Sequence, residues 1–271
     1  MPSNVKILAQ FNTQPFSETI SNAQIIQLDL INPDWKEILD YNPDVIIHTA
    51  AMTSVDECEK NQGLARNINF EGTKRLLEIA EKNNSRFIFT STDMVFDGEK
   101  GNYSESDPAN PLNFYGKTKT MAENYILQNY QNSVVLRTSL LYGIAYNCKP
   151  SFTQKTLEDL RSGKKIFAFT DQIRNPLPVS SLARAIWELV VLDFTGMLHI
   201  GGGQNFSRYD MAVKLCRQFN LSEKLIVPIL SNTDSNMVLR PKNCSMNISL
   251  AKSLLKTDLV DFEMGLGLAF E

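Results

Sequence analysis

The feature that most constrains the fold is an alternation of short apolar, β-branched runs with longer helical patterns. Candidate strands are Val5–Gln10, Ile25–Leu30, Val45–Thr49, Phe87–Thr90, Val134–Thr138, Ile166–Phe169 and Met197–Ile200. Several are continuously apolar rather than alternating, as in a parallel sheet buried on both faces. Helix patterns fall between them at Pro33–Asp40, Gly63–Asn83, Phe114–Gln128, Phe152–Arg161, Ser180–Leu192 and Arg208–Phe219. Ser162-Gly163 is a C-terminal stop, and Ser207 with Asp210 three residues on is an N-terminal start. The order predicts an α/β fold, a doubly wound parallel sheet. From residue 146 onward the pattern loosens and prolines become common. We therefore expect a Rossmann-like cofactor domain over residues 1–145, to which 176–195 return. A smaller C-terminal substrate lobe is expected from 146–175 and 196–271.

The chemistry is concentrated in Ser91-Thr92-Asp93-Met94-Val95-Phe96-Asp97-Gly98 and Tyr115-Gly116-Lys117-Thr118-Lys119. Tyr115 and Lys119 are four residues apart, so a helix puts both on one face. An ammonium beside a phenol favours the phenolate and is expected to lower the Tyr115 pKa. A tyrosine poised in this way gives or takes a proton near neutral pH. The hydroxyls of Ser91 and Thr92, at the end of a strand-like run, can bond the same oxygen. The trio points to carbonyl/alcohol redox chemistry, which normally needs a nicotinamide cofactor held by a glycine-rich turn after the first strand. No glycine precedes Gly63.

Other classes are disfavoured. A net charge of -3 gives no electrostatic footprint for nucleic acid or an anionic membrane. No apolar run reaches the length of a membrane span, and the first residues carry no signal-peptide pattern. A cytoplasmic protein is the expectation. Cys58, Cys148, Cys216 and Cys244 are widely spaced and form no C-x-x-C pair, so we read them as buried small apolar residues and expect no metal site. His48 and His199 read as hydrogen-bonded core residues. Gly201-Gly202-Gly203 lacks phosphate-loop spacing and reads as a turn.

These motifs resemble the dTDP-4-dehydrorhamnose reductase family, a branch of the extended short-chain dehydrogenases/reductases. The resemblance also covers Pro43–Asp56, Asn69-Phe70-Glu71-Gly72-Thr73, Pro111–Phe114, Arg137-Thr138-Ser139, Asp171–Pro176 and Arg240-Pro241-Lys242-Asn243. It implies NADPH- or NADH-dependent reduction of a 4-keto-6-deoxy nucleotide sugar. Tyr115 would be the general acid, Lys119 would hold the nicotinamide ribose, and Thr92 would orient the keto oxygen with Ser91. Asp29 and Leu30 would lie by the adenine. Ala50, Ala51 and Thr53 would line the cofactor cleft, and Thr138 and Ser139 would flank the nicotinamide. Thr92, Asp93, Val95, Phe96, Leu140 and Arg240 would meet the substrate, Arg240 at its diphosphate. The family context allows a homodimer. It leaves two other functions open: a non-catalytic relative such as a methionine adenosyltransferase regulatory subunit, and another nucleotide-sugar reductase or epimerase.

The chain departs from the family at two places. Val5–Gln10 is followed by Phe11-Asn12-Thr13-Gln14-Pro15-Phe16-Ser17, where side chains and a proline replace the G-x-x-G-x-x-G turn. Either Val5–Gln10 is the first strand, with the next helix and strand lost, or it is the second. We favour the second alignment, with the first strand, glycine turn and first helix absent, and expect weakened dinucleotide binding. Leu140 stands where many members carry Trp, which leaves the sugar open.

Overall fold

In the computed structural model the described residues are 5–15, 22–145, 150–233 and 238–270. In chain order, β1 (Ile7–Phe11) and β2 (Ala23–Gln27) precede α1 (Lys36–Tyr41) and β3 (Val45–His48). Next come α2 (Val55–Lys60), α3 (Gln62–Arg66), a π-helical turn at Asn67–Glu71 and α4 (Gly72–Asn83). These are followed by β4 (Arg86–Thr92), α5 (Phe114–Asn129) and β5 (Ser133–Thr138). The remainder carries β6 (Leu141–Tyr142), α6 (Phe152–Arg161), β7 (Ile166–Phe169), β8 (Ile173–Arg174) and β9 (Leu177–Pro178). Then follow α7 (Val179–Val191), β10 (Gly196–Ile200), β11 (Phe206–Ser207), α8 (Arg208–Gln218), β12 (Ile226–Ile229), α9 (Ser249–Leu254) and α10 (Phe262–Phe270).

The central sheet is parallel, in the order β10-β5-β4-β3. Its strands are the continuously apolar runs, and both faces are covered. Ile88, Val134, Leu136 and Leu198 pack with Leu182, Ile186 and Leu189 of α7. The alternate residues Phe87, Phe89 and Val135 pack with Leu76, Leu77 and Ala80 of α4 and Ala122 and Ile126 of α5. The two-residue side-chain period of a strand splits the apolar residues between these two cores. This is the doubly wound arrangement that the sequence predicts.

At the other end the sheet is interrupted. β1 pairs with β2, parallel, with Ile7 opposite Ala23, and these two strands form a separate sheet. In a doubly wound sheet the first strand lies beside the fourth, so a first strand here would pair with β3. β1 pairs with β2 instead, which is the geometry of the alignment that makes Val5–Gln10 a second strand. Among the described strands β3 pairs only with β4, and Ile47 is 37% exposed.

Two boundaries move for identifiable reasons. The run Ile25–Leu30 forms a strand only as far as Gln27, because the Asp29 carboxylate accepts from Ile31 N at 2.9 Å and turns the chain. Leu28 and Leu30 remain buried against α4. The expected single helix Gly63–Asn83 is three segments with a π turn in the middle. α6 begins and ends at the predicted residues, and α8 has the predicted Ser207/Asp210 capping box. Cys58, Cys216 and Cys244 are buried free thiols, whereas Cys148 lies outside the described residues. Among the described residues no helix is long and apolar enough to cross a membrane.

Candidate active site

Ser91 and Thr92 end β4 beside Arg137 and Thr138 of β5, at the carboxyl edge of the sheet. Thr138 Oγ1 donates to Ser91 O at 3.0 Å. Thr92 Oγ1 accepts from Met94 N at 3.2 Å and starts a tight turn over Asp93–Val95. The next helix, α5, is N-capped by Asn113, whose Oδ1 accepts from Gly116 N at 3.0 Å. A Cβ on Gly116 would collide with the Met94 carbonyl and with Pro111. That missing side chain lets the first turn of α5 press on the loop after β4. The contact brings the Tyr115 phenol into the neighbourhood of the Thr92 hydroxyl, which acts to lower its pKa.

Tyr115 lies in an apolar cluster with Cys58 and Ala65, against Met52, Val55 and Met94. Burial holds its pKa above the ordinary value and the Asp93 carboxylate adds to this, while the Thr92 hydroxyl pulls it down. The direction is opposite to the sequence expectation because burial of the phenol dominates, and Lys119 does not offset it. Its ammonium is buried, sits 4.0 Å from the Phe89 ring centroid and makes no hydrogen bond among the described residues. Burial lowers its pKa to about 7, against the upward pull of Glu123. A lysine carrying its charge only part of the time near neutral pH does little to favour the phenolate. Ser91 Oγ is also buried and lacks a hydrogen-bond partner among the described residues.

Asn69, within the Asn69-Phe70-Glu71-Gly72-Thr73 motif, has a role in the frame of the site. It is buried in the π turn; its Oδ1 accepts from Met52 N at 2.7 Å and its Nδ2 donates to Met52 O at 3.0 Å. The same Nδ2 donates to Thr118 Oγ1 at 3.0 Å. One amide therefore ties the loop after β3, which holds Ala50, Ala51 and Thr53, to the helix of Tyr115 and Lys119. The available signal was a buried-pattern helix with an Asn in its middle, where that residue has little helical reason to be.

The other expected residues divide. Ala50, Ala51 and Thr53 follow β3 at the same sheet edge, half-buried or exposed. Ser139 is buried and donates to Asp93 Oδ2 at 3.2 Å. Leu140, like Phe152, packs against the cluster of Tyr142, Met211 and Phe262. Asp93, expected to meet substrate, is buried and pairs with Arg174 Nε at 3.2 Å, so its carboxylate is already engaged. Val95 and Phe96 are fully buried, with Phe96 stacked on Tyr103 at 4.0 Å between centroids, so their side chains are core. Leu30 is likewise core. Arg240 pairs with Asp56 Oδ2 at 2.8 Å. His48 and His199 are buried, and burial holds them neutral, at about 3 and about 4. Among the described residues no group of His, Cys, Asp and Glu could hold a metal ion.

The model of the RmlD substrate binding domain matches residues 6–271. The chain belongs to the RmlD family. Within it, the dTDP-4-dehydrorhamnose reductase of Aggregatibacter actinomycetemcomitans is 35% identical over 70% of this chain and 66% of its own. The methionine adenosyltransferase 2 subunit beta of Bos taurus is 31% identical over 84% of this chain and 70% of its own. The dTDP-4-dehydrorhamnose reductase of Bacillus anthracis, solved in complex with NADP, superposes with a TM-score of 0.83. It is 25% identical and covers 92% of this RmlD-family chain and 89% of its own. The relatives of this chain thus include both reductases and adenosyltransferase subunits.

Proposed function

We propose that this protein reduces the keto group of a 4-keto-6-deoxy nucleotide sugar with NADPH or NADH, as the dTDP-4-dehydrorhamnose reductases it resembles are named for. The observation that carries the reading is that α5 buries Tyr115 and Lys119, one helical turn apart, at the end of β4, where the buried Thr92 hydroxyl acts on the phenol. A nicotinamide cofactor supplies the hydride. At the nicotinamide end the residues present fit it, because Lys119 is a buried cation over the Phe89 ring and Ser91 Oγ is buried without a hydrogen-bond partner among the described residues. Lys119 would donate to the ribose, and Ser91 and Thr138 would flank the ring. At the pyrophosphate end the given sequence offers no glycine before Gly63.

Within this reading Tyr115 gives its phenolic proton to the keto oxygen. Its raised pKa suits it to be the acid of a reduction, since the proton is present throughout the physiological range. Thr92 fixes the phenol and a lone pair of the substrate oxygen. The test is NADPH oxidation by the purified full chain with dTDP-4-dehydro-6-deoxy-L-mannose as substrate. Tyr115→Phe should lower kcat on the order of 10²–10⁴-fold. No turnover by the native protein sinks the reading.

A second reading, a non-catalytic subunit akin to methionine adenosyltransferase 2 subunit beta, is favoured by that sequence similarity and by the missing glycine turn. Calorimetric titration with NADPH and NADH separates the two. Binding that is lost in Lys119→Ala supports the reductase, with a Kd expected above roughly 1 μM, since one cradle for the cofactor is lacking. No binding supports the subunit.

A further inference from the structure

We propose that Arg208 is the anion-binding residue of the substrate lobe, placed to receive a phosphate group of a nucleotide-linked ligand. The inference rests on the nucleotide-sugar reading for the identity of the ligand, but not for the existence of the site. Arg208 opens α8, yet it has no part in capping that helix. Ser207 and Asp210 cap each other, with Asp210 Oδ2 accepting from Ser207 Oγ at 2.6 Å and from Ser207 N at 3.1 Å. The Arg208 guanidinium lies over the Phe152 ring, 4.5 Å from its centroid. Its Nη1 is buried and has no hydrogen-bond partner among the described residues.

The surrounding charges do not balance it. Arg174, Arg240 and Asp93 are the charged groups that act on it. The Asp93 carboxylate is already held by Arg174 Nε and by Ser139 Oγ, each at 3.2 Å. Arg174 spends its terminal nitrogens on the carbonyls of Ile173, Pro241 and Lys242, at 2.7 to 2.9 Å. Arg240 is taken by Asp56 at the rim. Arg174 thus takes the buried carboxylate and Arg240 the one at the rim, and Arg208 is the guanidinium left over. Arg208 is half-buried, but its Nη1 is shut away from solvent without a partner, and such a polar group is costly unless something compensates it. Burial lowers the Arg208 pKa to about 9, which leaves it charged at neutral pH. A phosphate would supply the missing negative charge, and the planar fork of a guanidinium matches its oxygens.

The location suits a substrate reaching from Tyr115 into the lobe. Phe152, under Arg208, shares its apolar cluster with Leu140, which follows the active-site end of β5. Met94, which packs by Tyr115, also contacts Arg174 Nη2 through its sulfur at 3.7 Å.

The test is calorimetry on the full chain without cofactor, using inorganic pyrophosphate and thymidine diphosphate, on the native protein, Arg208→Gln and Arg208→Lys. We expect native binding of both ligands, a loss of about tenfold or more in Arg208→Gln, and a smaller loss in Arg208→Lys. Arg208→Gln should also melt at the same or a higher temperature, because it removes an uncompensated charge, whereas a structural arginine would lower it. Binding of pyrophosphate but not thymidine diphosphate, dependent on Arg208, keeps the site and sinks the nucleotide-sugar reading. Thymidine diphosphate affinity unchanged in Arg208→Gln, or no native binding of pyrophosphate, overturns the inference and leaves that reading to its own assay.

Discussion

Lys119 enters the interior with an aromatic face below it and no hydrogen bond to a described residue, and its protonation is therefore linked to folding. In the unfolded chain a lysine titrates at about 10.4; in the folded protein burial brings Lys119 to about 7. Between those values the unfolded chain holds a proton that the folded protein has released. Stability therefore rises with pH across this window, and the full burden of the buried charge falls below pH 7. Lys119→Met should be more stable than the native protein at pH 6, by on the order of a few kcal/mol, with the gap closing towards pH 10. Urea melts at pH 6, 8 and 10 measure this; a variant less stable at pH 6 would refute it. The pairing of Tyr115 with Lys119 was legible in the four-residue spacing alone. The direction of the Tyr115 shift was not, because spacing places two side chains on a face without saying how dry that face is. Burial of the phenol and of the ammonium is set by Phe89, Met52 and Ala65, which are distant in sequence.

The helix before β4 shows what an element adds. A continuous apolar period over Gly63–Asn83 predicts one helix, and the chain instead takes a π turn at Asn67–Glu71. A π turn inserts a residue into the ladder and re-aims its neighbours, and such turns concentrate at functional sites. Here it turns the Asn69 amide onto both polar groups of Met52 and onto Thr118. Asn69→Ala would leave these partly buried groups without their partner, at a cost of about 1–3 kcal/mol in unfolding free energy. If the clamp also sets the cofactor cleft, the variant should raise the Kd for NADPH; an unchanged chemical denaturation midpoint would show that the clamp contributes nothing. The periodicity survives a π turn almost intact, so the apolar pattern alone does not reveal one. By contrast, the α8 boundary was legible because Ser207 and Asp210 state the cap chemically. β12, α9 and α10 carry no such punctuation: β12 contains a proline, and α10 reads Phe-Glu-Met-Gly-Leu-Gly-Leu-Ala-Phe, with two glycines in a short apolar segment.

Across the whole molecule, the sheet is continuous from β10 to β3 and interrupted between β3 and the β1–β2 pair. Among the described strands one side of β3 has no neighbour, which is where a first strand followed by a glycine turn would lie in a doubly wound sheet. β3 is built for a covered position, with the run Val-Ile-Ile-His, yet Ile47 is 37% exposed. An exposed, apolar, unpaired strand edge recruits other strands, and natural proteins guard such edges with charge, lysine above all. Ile47→Lys should therefore raise the protein concentration at which self-association begins. Its thermal midpoint should hold, because a surface substitution of this kind shifts stability by only about 0.5 kcal/mol. Light scattering over a concentration series, read beside a thermal melt, measures both. Reduced association with an unchanged melt identifies β3 as the sticky edge. Unchanged association would mean that the β3 edge is covered in solution, and a melt lowered by several degrees would mean that Ile47 is a core residue of a sheet more complete than its described strands.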